Sequence, residues 1–400
     1  MIEWQIIFQI ALGISLILQG CFLVVIFKLI FCKKNNSVEK TNPKSVSLVI
    51  AARNEAHNLE KLFYTIFNQS YTNFEVIIVN DRSDDNSLSI LKKLKKNNPT
   101  KKIRFISITE KPQNWNGKKH ALQLGIKAAK NEIILLTDAD CLPKDKFWIE
   151  KMANSFQNYN KKINTVLGIS LYKKEKKNFP YAILHWFIQN ETLITALQYI
   201  SFANFGMAYM GVGRNLAYKK NVFWENKKNK DKTSFEKIAS QMGGDDDLIF
   251  SEKRFYKNVT ICLQAQTETK APQNFREWLA QKRRHLAVGT KYSLRQKVIS
   301  SIYPWSIFFW YFALIGFLIN NFYEVLGFEL LRQLLFFSIL RIFYNQIQNN
   351  YVSERSDYLK KYKDFFKEFF ITFLGFEFVF ILYYFVIGIG TVFFPPTSWK

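Results

Sequence analysis

Apolar residues are distributed along this chain in two different ways. At both ends they run on almost unbroken, while in the middle they come as short bursts separated by polar turns and helical repeats. Residues 4–31, WQIIFQIALGISLILQGCFLVVIFKLIF, are nearly free of charge and long enough to cross a hydrocarbon core of about 30 Å. A cleaved signal peptide would carry a shorter apolar core with basic residues ahead of it. Here the basic residues follow, as Lys33, Lys34, Lys40 and Lys44. That asymmetry predicts an outside amino terminus and a cytoplasmic domain after the span.

Long apolar runs return at 302–319 and 369–394. Between them, 325–343 carries Glu329, Arg332 and Arg341, and reads as a third carboxyl-side span or as a helix lying in the interface, the span being slightly favoured. Residues 320–324 lack Lys and Arg, whereas 346–367 hold Arg355, Lys360, Lys361, Lys363 and Lys367. Alternation through three spans places the basic loop inside. The expected organisation is an N-terminal transmembrane helix (1–32), a cytoplasmic domain (33–300) and a C-terminal membrane region with two to three transmembrane helices (301–400).

In the middle, the pattern predicts strands at 46–52, 75–79 and 102–109 and in NEIILLTDAD, with amphipathic helices between them, the first from about Asn58. Such alternation implies a parallel sheet with helices on its faces, and in such sheets ligands bind beyond the carboxyl ends of the strands. Polar clusters stand at those ends: Arg53-Asn54-Glu55, Asn80-Asp81 and Asp138-Ala139-Asp140. Converging carboxylates repel unless a cation or hydrogen-bond donors lie among them, so three clusters together point to a site. No G-x-G-x-x-G follows the first strand, which disfavours a dinucleotide fold. Residues 180–216 begin as an amphipathic helix suited to the membrane interface, with Trp186 and Tyr199 at headgroup depth. A buried core helix is the alternative.

Charge and cysteine content narrow the class. Lys and Arg number 56 against 32 Asp and Glu, a net charge of +24. The lysines are spread over about 33–300 with no nucleic-acid signature, so nucleic acid is not an expected partner and a surface pressed against anionic lipid is. The 4 cysteines are scattered, with neither zinc spacing nor a disulfide framework, which suits a reducing compartment.

The stretches VSLVIAARNE, VIIVNDRSDDNS, GKKHAL and ILLTDAD, followed by GGDDDLIF and QKRRHLAVG, together resemble the inverting family 2 glycosyltransferases of α/β GT-A (Rossmann-like) fold. The last resembles the Q-x-x-R-W element of membrane-embedded synthases. The resemblance covers roughly residues 45–290. It implies a membrane-bound, metal-dependent, hexosyltransferase-type enzyme that takes sugar from a nucleotide-sugar donor, with a lean to UDP. The acceptor would be a lipid or lipid-linked species, or a glycan grown by a processive polysaccharide synthase. A catalytically silent sugar-nucleotide-binding membrane protein is the alternative from another class. The expected location is a bacterial inner (plasma) membrane, with the catalytic domain cytoplasmic.

By that resemblance, Asp138 and Asp140 hold Mg²⁺ or Mn²⁺ and Asp138 also lies near the ribose. Asp81 reads the base, with Asn80 where many relatives carry a second Asp. Asn54 and Glu55 line the end of the first strand, and Gly117-Lys118 approaches the donor. The acidic element Asp245-Asp246-Asp247 supplies the catalytic base. Asp245 is favoured and Asp246 remains open, because glycine replaces the Glu that usually precedes it. Gln281, Arg284 and His285 close over the donor. Arg284 would meet the diphosphate, and His285 stands where Trp is usual.

Overall fold

The computed structural model describes residues 2–31, 44–157, 162–175, 181–224, 233–318, 322–348 and 376–393. The basic residues expected to orient the spans, Lys33, Lys34, Lys40 and the loop after 348, lie outside them.

One eight-stranded sheet organises the middle of the chain, in the order β3-β2-β1-β4-β7-β6-β8-β5. Its first half is parallel: β1 (Val46–Ala52) lies between β2 (Phe74–Asp81) and β4 (Ile133–Asp138), with β3 (Ile103–Ile108) beyond β2. These are the strands expected from the apolar bursts, and they read as near-continuous Val/Ile/Leu because helices cover both faces. Helix α2 (Ala56–Phe67), α3 (Ser87–Asn97) and α4 (Gly117–Ala128) make the crossovers. Register sets the strand ends level. Ala51 is opposite both Val79 and Asp138, and Ala52 is opposite Asn80, so the polar clusters that follow these strands open on one edge.

The second half turns antiparallel. β7 (Leu216–Lys219) pairs antiparallel with β4 and with β6 (Thr165–Tyr172). β8 (Val259–Thr269) runs parallel to β6, and the two-residue β5 (Leu142–Pro143) closes the edge. Between β4 and β6 lies α5 (Trp148–Asn154).

Helix α6 (Tyr181–Phe205) corrects the expectation for 180–216. Its second half is buried nearly all round, and Tyr199 donates from its hydroxyl to the Gly168 carbonyl of β6 (2.8 Å) rather than sitting at headgroup depth. Trp186 is half-buried against Phe376. A helix segment buried on every side is part of the core, and the sheet supplies that core.

Two short helices, α7 (Ser234–Lys237) and α8 (Lys253–Tyr256), precede α9 (Phe275–Gly289), which leads into α10 (Leu294–Leu318). The N-terminal helix α1 (Ile2–Phe31) packs along α10, with Phe8 against Phe312 and Ser15 donating to the Ser306 carbonyl (2.7 Å). Both are long and apolar enough to cross a membrane, and α1 exposes Trp4, Ile10, Ile17 and Val24 outward. Helix α11 (Phe322–Gln348) and helix α12 (Phe376–Phe393) complete the described carboxyl-side region. Two of the charges noted in 325–343 are matched within the bundle: Arg332 pairs with Glu329 (2.9 Å) and with the fully buried Glu377 of α12.

Candidate active site

The site grows from the carboxyl edge of β1, β2 and β4. After β1 the chain turns at Asn54, which has a positive φ of 57°, its side chain accepting from Asp84 N (2.8 Å). Asn is among the few residues that tolerate this region. Glu55 forms the N-cap of α2 and accepts from Asn58 (2.7 Å). At the end of β2, Asp81 is buried and receives both arms of Arg82, at 2.7 and 3.2 Å. Gly117 opens α4 directly above that carboxylate; a Cβ there would collide with Asp81 and Arg82. The absence of a side chain is thus a steric requirement of this contact.

Lys118 joins the two sides of the cleft. Its ammonium lies 2.9 Å from Asp138 at the end of β4 and 3.2 Å from Asp245, more than a hundred residues further on. Asp138 is half-buried and its carboxyl is pushed above the usual carboxylate range by burial, with Asp140 and Asp245 adding and Lys118 opposing. Lys119, the next residue, is fully buried and donates to the Gln241 and Gly243 carbonyls, while burial lowers its pKa to about 8. It anchors the segment that leads into the acidic element.

Within that element the three aspartates have different surroundings. Asp245 faces Lys118, and Asp246 accepts from the Gly213 amide (2.7 Å). Asp246 is pushed up to about 6 by burial and by the neighbouring Asp245. Asp247 turns away to accept from the Tyr292 hydroxyl (2.9 Å), and its backbone carbonyl accepts from Gln296. Burial, with Asp246 adding, lifts it well above the usual range. Asp247 thereby fastens the element to the start of α10, leaving Asp245 and Asp246 in the cleft.

Asp140 is exposed, with Thr269 Oγ1 donating to one oxygen and the Cys141 thiol to the other, both at 3.3 Å. Asp138, Asp140 and Cys141 offer ligand atoms all within 4.8 Å of one another. Hard carboxylate oxygens suit Mg²⁺ or Mn²⁺, and Lys118 already marks a position where Asp138 takes a positive charge. The donor set therefore fits a divalent cation.

Helix α9 brings the last group. Gln281 accepts from the Tyr172 hydroxyl (3.0 Å), and Arg284 is half-buried, flanking a groove with Lys270 and Gln273. His285 lies on the exposed side of α9, and its imidazole is held below the usual histidine range by burial of the ring and by the cations Lys282, Arg214, Arg284 and Lys118 around it, so it is neutral at pH 7.

The sequence marks GVGRNLAY as a turn resembling the family's acceptor-side turn before a strand, but reasoning from it missed Arg214 within that turn, and missed Tyr172 and Thr269. Arg214 sits on a short 3₁₀ turn (Gly213–Asn215), its carbonyl held by Thr137 (3.0 Å) and Thr267 (3.2 Å) and its guanidinium 5.2 Å from the Tyr172 ring centre. One charged residue between glycines and a strand start was the available signal, and 56 Lys and Arg obscured it.

Residues 47–226 match the Glycosyl transferase family 2 domain. That stretch belongs to glycosyl transferase family 2. The fold agrees: the mannosyltransferase PcManGT from Pyrobaculum calidifontis, solved in complex with GDP-Man and Mn²⁺, superposes with a TM-score of 0.52 at 16% identity, covering 86% of this chain and 100% of that one. The mixed sheet is thus of GT-A type. Among curated relatives, the poly-beta-1,6-N-acetyl-D-glucosamine synthase of Staphylococcus aureus (strain COL) is 30% identical over 99 residues, 25% of this chain and 22% of that protein. The Staphylococcus epidermidis enzyme of the same name is 31% identical over 107 residues, 27% and 24% of the two chains. The chain thus spans less than a quarter of the length of these relatives.

Proposed function

We propose that this chain is a membrane-anchored, inverting, metal-dependent glycosyltransferase that moves a hexose-type sugar from a nucleoside-diphosphate donor, UDP-linked, to a lipid or lipid-linked acceptor. The observation that carries it is Lys118 bridging Asp138 and Asp245. It brings a carboxylate suited to the diphosphate side and one suited to the acceptor side to within a few ångströms of one cation.

Inverting transfer needs one base. Asp245 takes the proton of the acceptor hydroxyl as its oxygen bonds to the anomeric carbon, while the bond from that carbon to the diphosphate oxygen breaks. Asp81 and Asn54 hold the base and ribose end, and Gly117 lets the donor approach α4 closely. Lys118 exchanges its carboxylate partners for phosphate as the donor enters. Gln281, Arg284 and His285 cover the donor from α9; the neutral His285 adds no charge at the acceptor mouth. Asp138 and Asp140 would hold a divalent cation, which would offset the charge of the diphosphate. Helices α1 and α10 span the membrane, α11 and α12 meet each other at Glu329–Arg332–Glu377 and meet α10 where Trp310 donates to Glu329 and Tyr303 to Glu377, and the GT-A domain faces the cytoplasm. With four such helices among the described residues, a lipid acceptor at the leaflet is favoured over a polymer threaded through a channel.

The second reading, a processive polysaccharide synthase, is favoured by the 30% identity to poly-beta-1,6-N-acetyl-D-glucosamine synthase. The test is incubation of purified protein in lipid extract with Mg²⁺ or Mn²⁺ and a panel of radiolabelled nucleotide sugars. Label in the organic phase, absent with Asp245→Asn, supports the lipid acceptor. Label in high-mass polymer supports the second reading, and donor binding without incorporation supports a silent protein.

A further inference from the structure

Arg214 lies where the donor and acceptor halves of the cleft meet. Its backbone is fixed by Thr137 and Thr267, and the amide of the preceding Gly213 holds Asp246. Its guanidinium stacks over Tyr172, whose hydroxyl is spent on Gln281. Asp140 and Asp138 are near enough for their charge to stabilise the guanidinium but outside ion-pair distance. Among the described residues the guanidinium forms no ion pair or hydrogen bond. A half-buried group with five donors and no acceptor is costly to leave unsatisfied, and its planar fork matches phosphate oxygens in a way an ammonium does not.

We infer that Arg214 is a catalytic residue that binds the diphosphate of the donor and stabilises it as it leaves. This deepens the proposed function and rests on it. Three features of the surroundings fit the assignment. Tyr172 packs against the guanidinium, with its ring centre 5.2 Å away, so less side-chain freedom is lost when the anion arrives. Asp138 and Asp140, which would hold a cation against the same diphosphate, lie near the guanidinium. Lys118 approaches from α4, which leaves the diphosphate flanked by positive groups from two directions. Arg284, by contrast, flanks a separate outward groove beside Lys270 and Gln273; its position suits the mouth of the site better than the leaving group.

The test is calorimetric binding of UDP and GDP, with Mn²⁺, to the purified full chain, compared with the corresponding nucleoside monophosphates. Arg214→Gln should weaken diphosphate binding about 10- to 100-fold, the range expected for lost charge-assisted hydrogen bonds. Monophosphate binding should change less than about twofold, since the base and ribose contacts are elsewhere. Arg214→Lys should fall between the two, keeping the charge and losing the fork. Diphosphate affinity unchanged in Arg214→Gln, or monophosphate affinity lost to the same degree, would overturn the assignment while leaving the glycosyltransferase reading intact. Failure of the wild-type chain to bind either diphosphate would overturn both.

Discussion

Asp245 and Asp246 are neighbours with unequal surroundings, and the difference is measurable. Asp245 faces Lys118, whereas Asp246 is tied to Gly213 and raised to about 6. Replacing Asp245 by Asn should lower kcat by about 10²- to 10⁴-fold, the usual contribution of a positioned base, with donor affinity retained. Asp246 loses its proton as pH rises through about 6. If its carboxylate form helps orient the acceptor, kcat/KM should climb through that region and level off above it. Asp246→Asn should abolish the inflection, which a pH–rate profile would show directly. Because ionising Asp246 is disfavoured by the fold, its charge weighs on stability above about 6 and is relieved on acidification towards the ordinary carboxylate range. Gly117 offers a second residue-scale test. A methyl group there collides with Asp81 and Arg82, so Gly117→Ala should raise the donor KM on the order of tenfold, about 1.4 kcal/mol, with kcat little changed.

At the scale of elements, the parallel half of the sheet was legible because strands buried on both faces appear as unbroken apolar runs. Val46–Ala52 and Ile133–Leu136 are buried almost without exception, and the carboxylates after them fall at the strand ends by register. The antiparallel half was less legible. β8 alternates with Gln, Thr and Glu and pairs with β6 across a register shift, so its partners are set by tertiary packing. Lys118 meeting Asp245, and Arg214 meeting Tyr172, are contacts between distant segments that no local spacing encodes. Tyr199 was misplaced because an all-apolar helix looks the same in a core as at an interface. The residue that ties the second half of the sheet together is Asn215. It is fully buried, donating to the Ile169 and Ala265 carbonyls (2.9 and 2.8 Å) and accepting from Trp148 Nε1 (3.0 Å). Its side chain packs directly on Gly168, where a Cβ would displace it. Asn215→Ala leaves three buried polar groups without partners and should cost about 3 kcal/mol. A urea unfolding titration would register the loss, and transfer activity should fall with it because Gly213 and Arg214 ride on the same turn.

For the molecule as a whole, the link from α9 to α6 and α12 is built on a buried ion pair. Lys282, one residue after Gln281 on α9, meets Glu191 of α6, and Tyr383 of α12 donates to the same carboxylate (3.0 Å). Aromatic packing continues the joint, with Trp278 of α9 5.3 Å from Tyr383 and 5.8 Å from Phe187. A buried pair of this kind adds little net stability over an apolar replacement, but removing one partner strands a charge and costs about 3–5 kcal/mol. Lys282→Met should therefore lower the melting temperature of the detergent-solubilised chain markedly, and adding Glu191→Leu should recover most of the loss. Activity separates two roles for the joint. If it merely fills space, the double variant should regain transfer together with stability. If Lys282 and Glu191 hold α9 at the angle that brings Gln281, Arg284 and His285 over the donor, stability should return while the donor KM stays high. The second outcome is the one expected, because Gln281 and Lys282 are adjacent on one turn of α9, and a shift of that turn breaks the Tyr172–Gln281 bond that fixes the ring under Arg214.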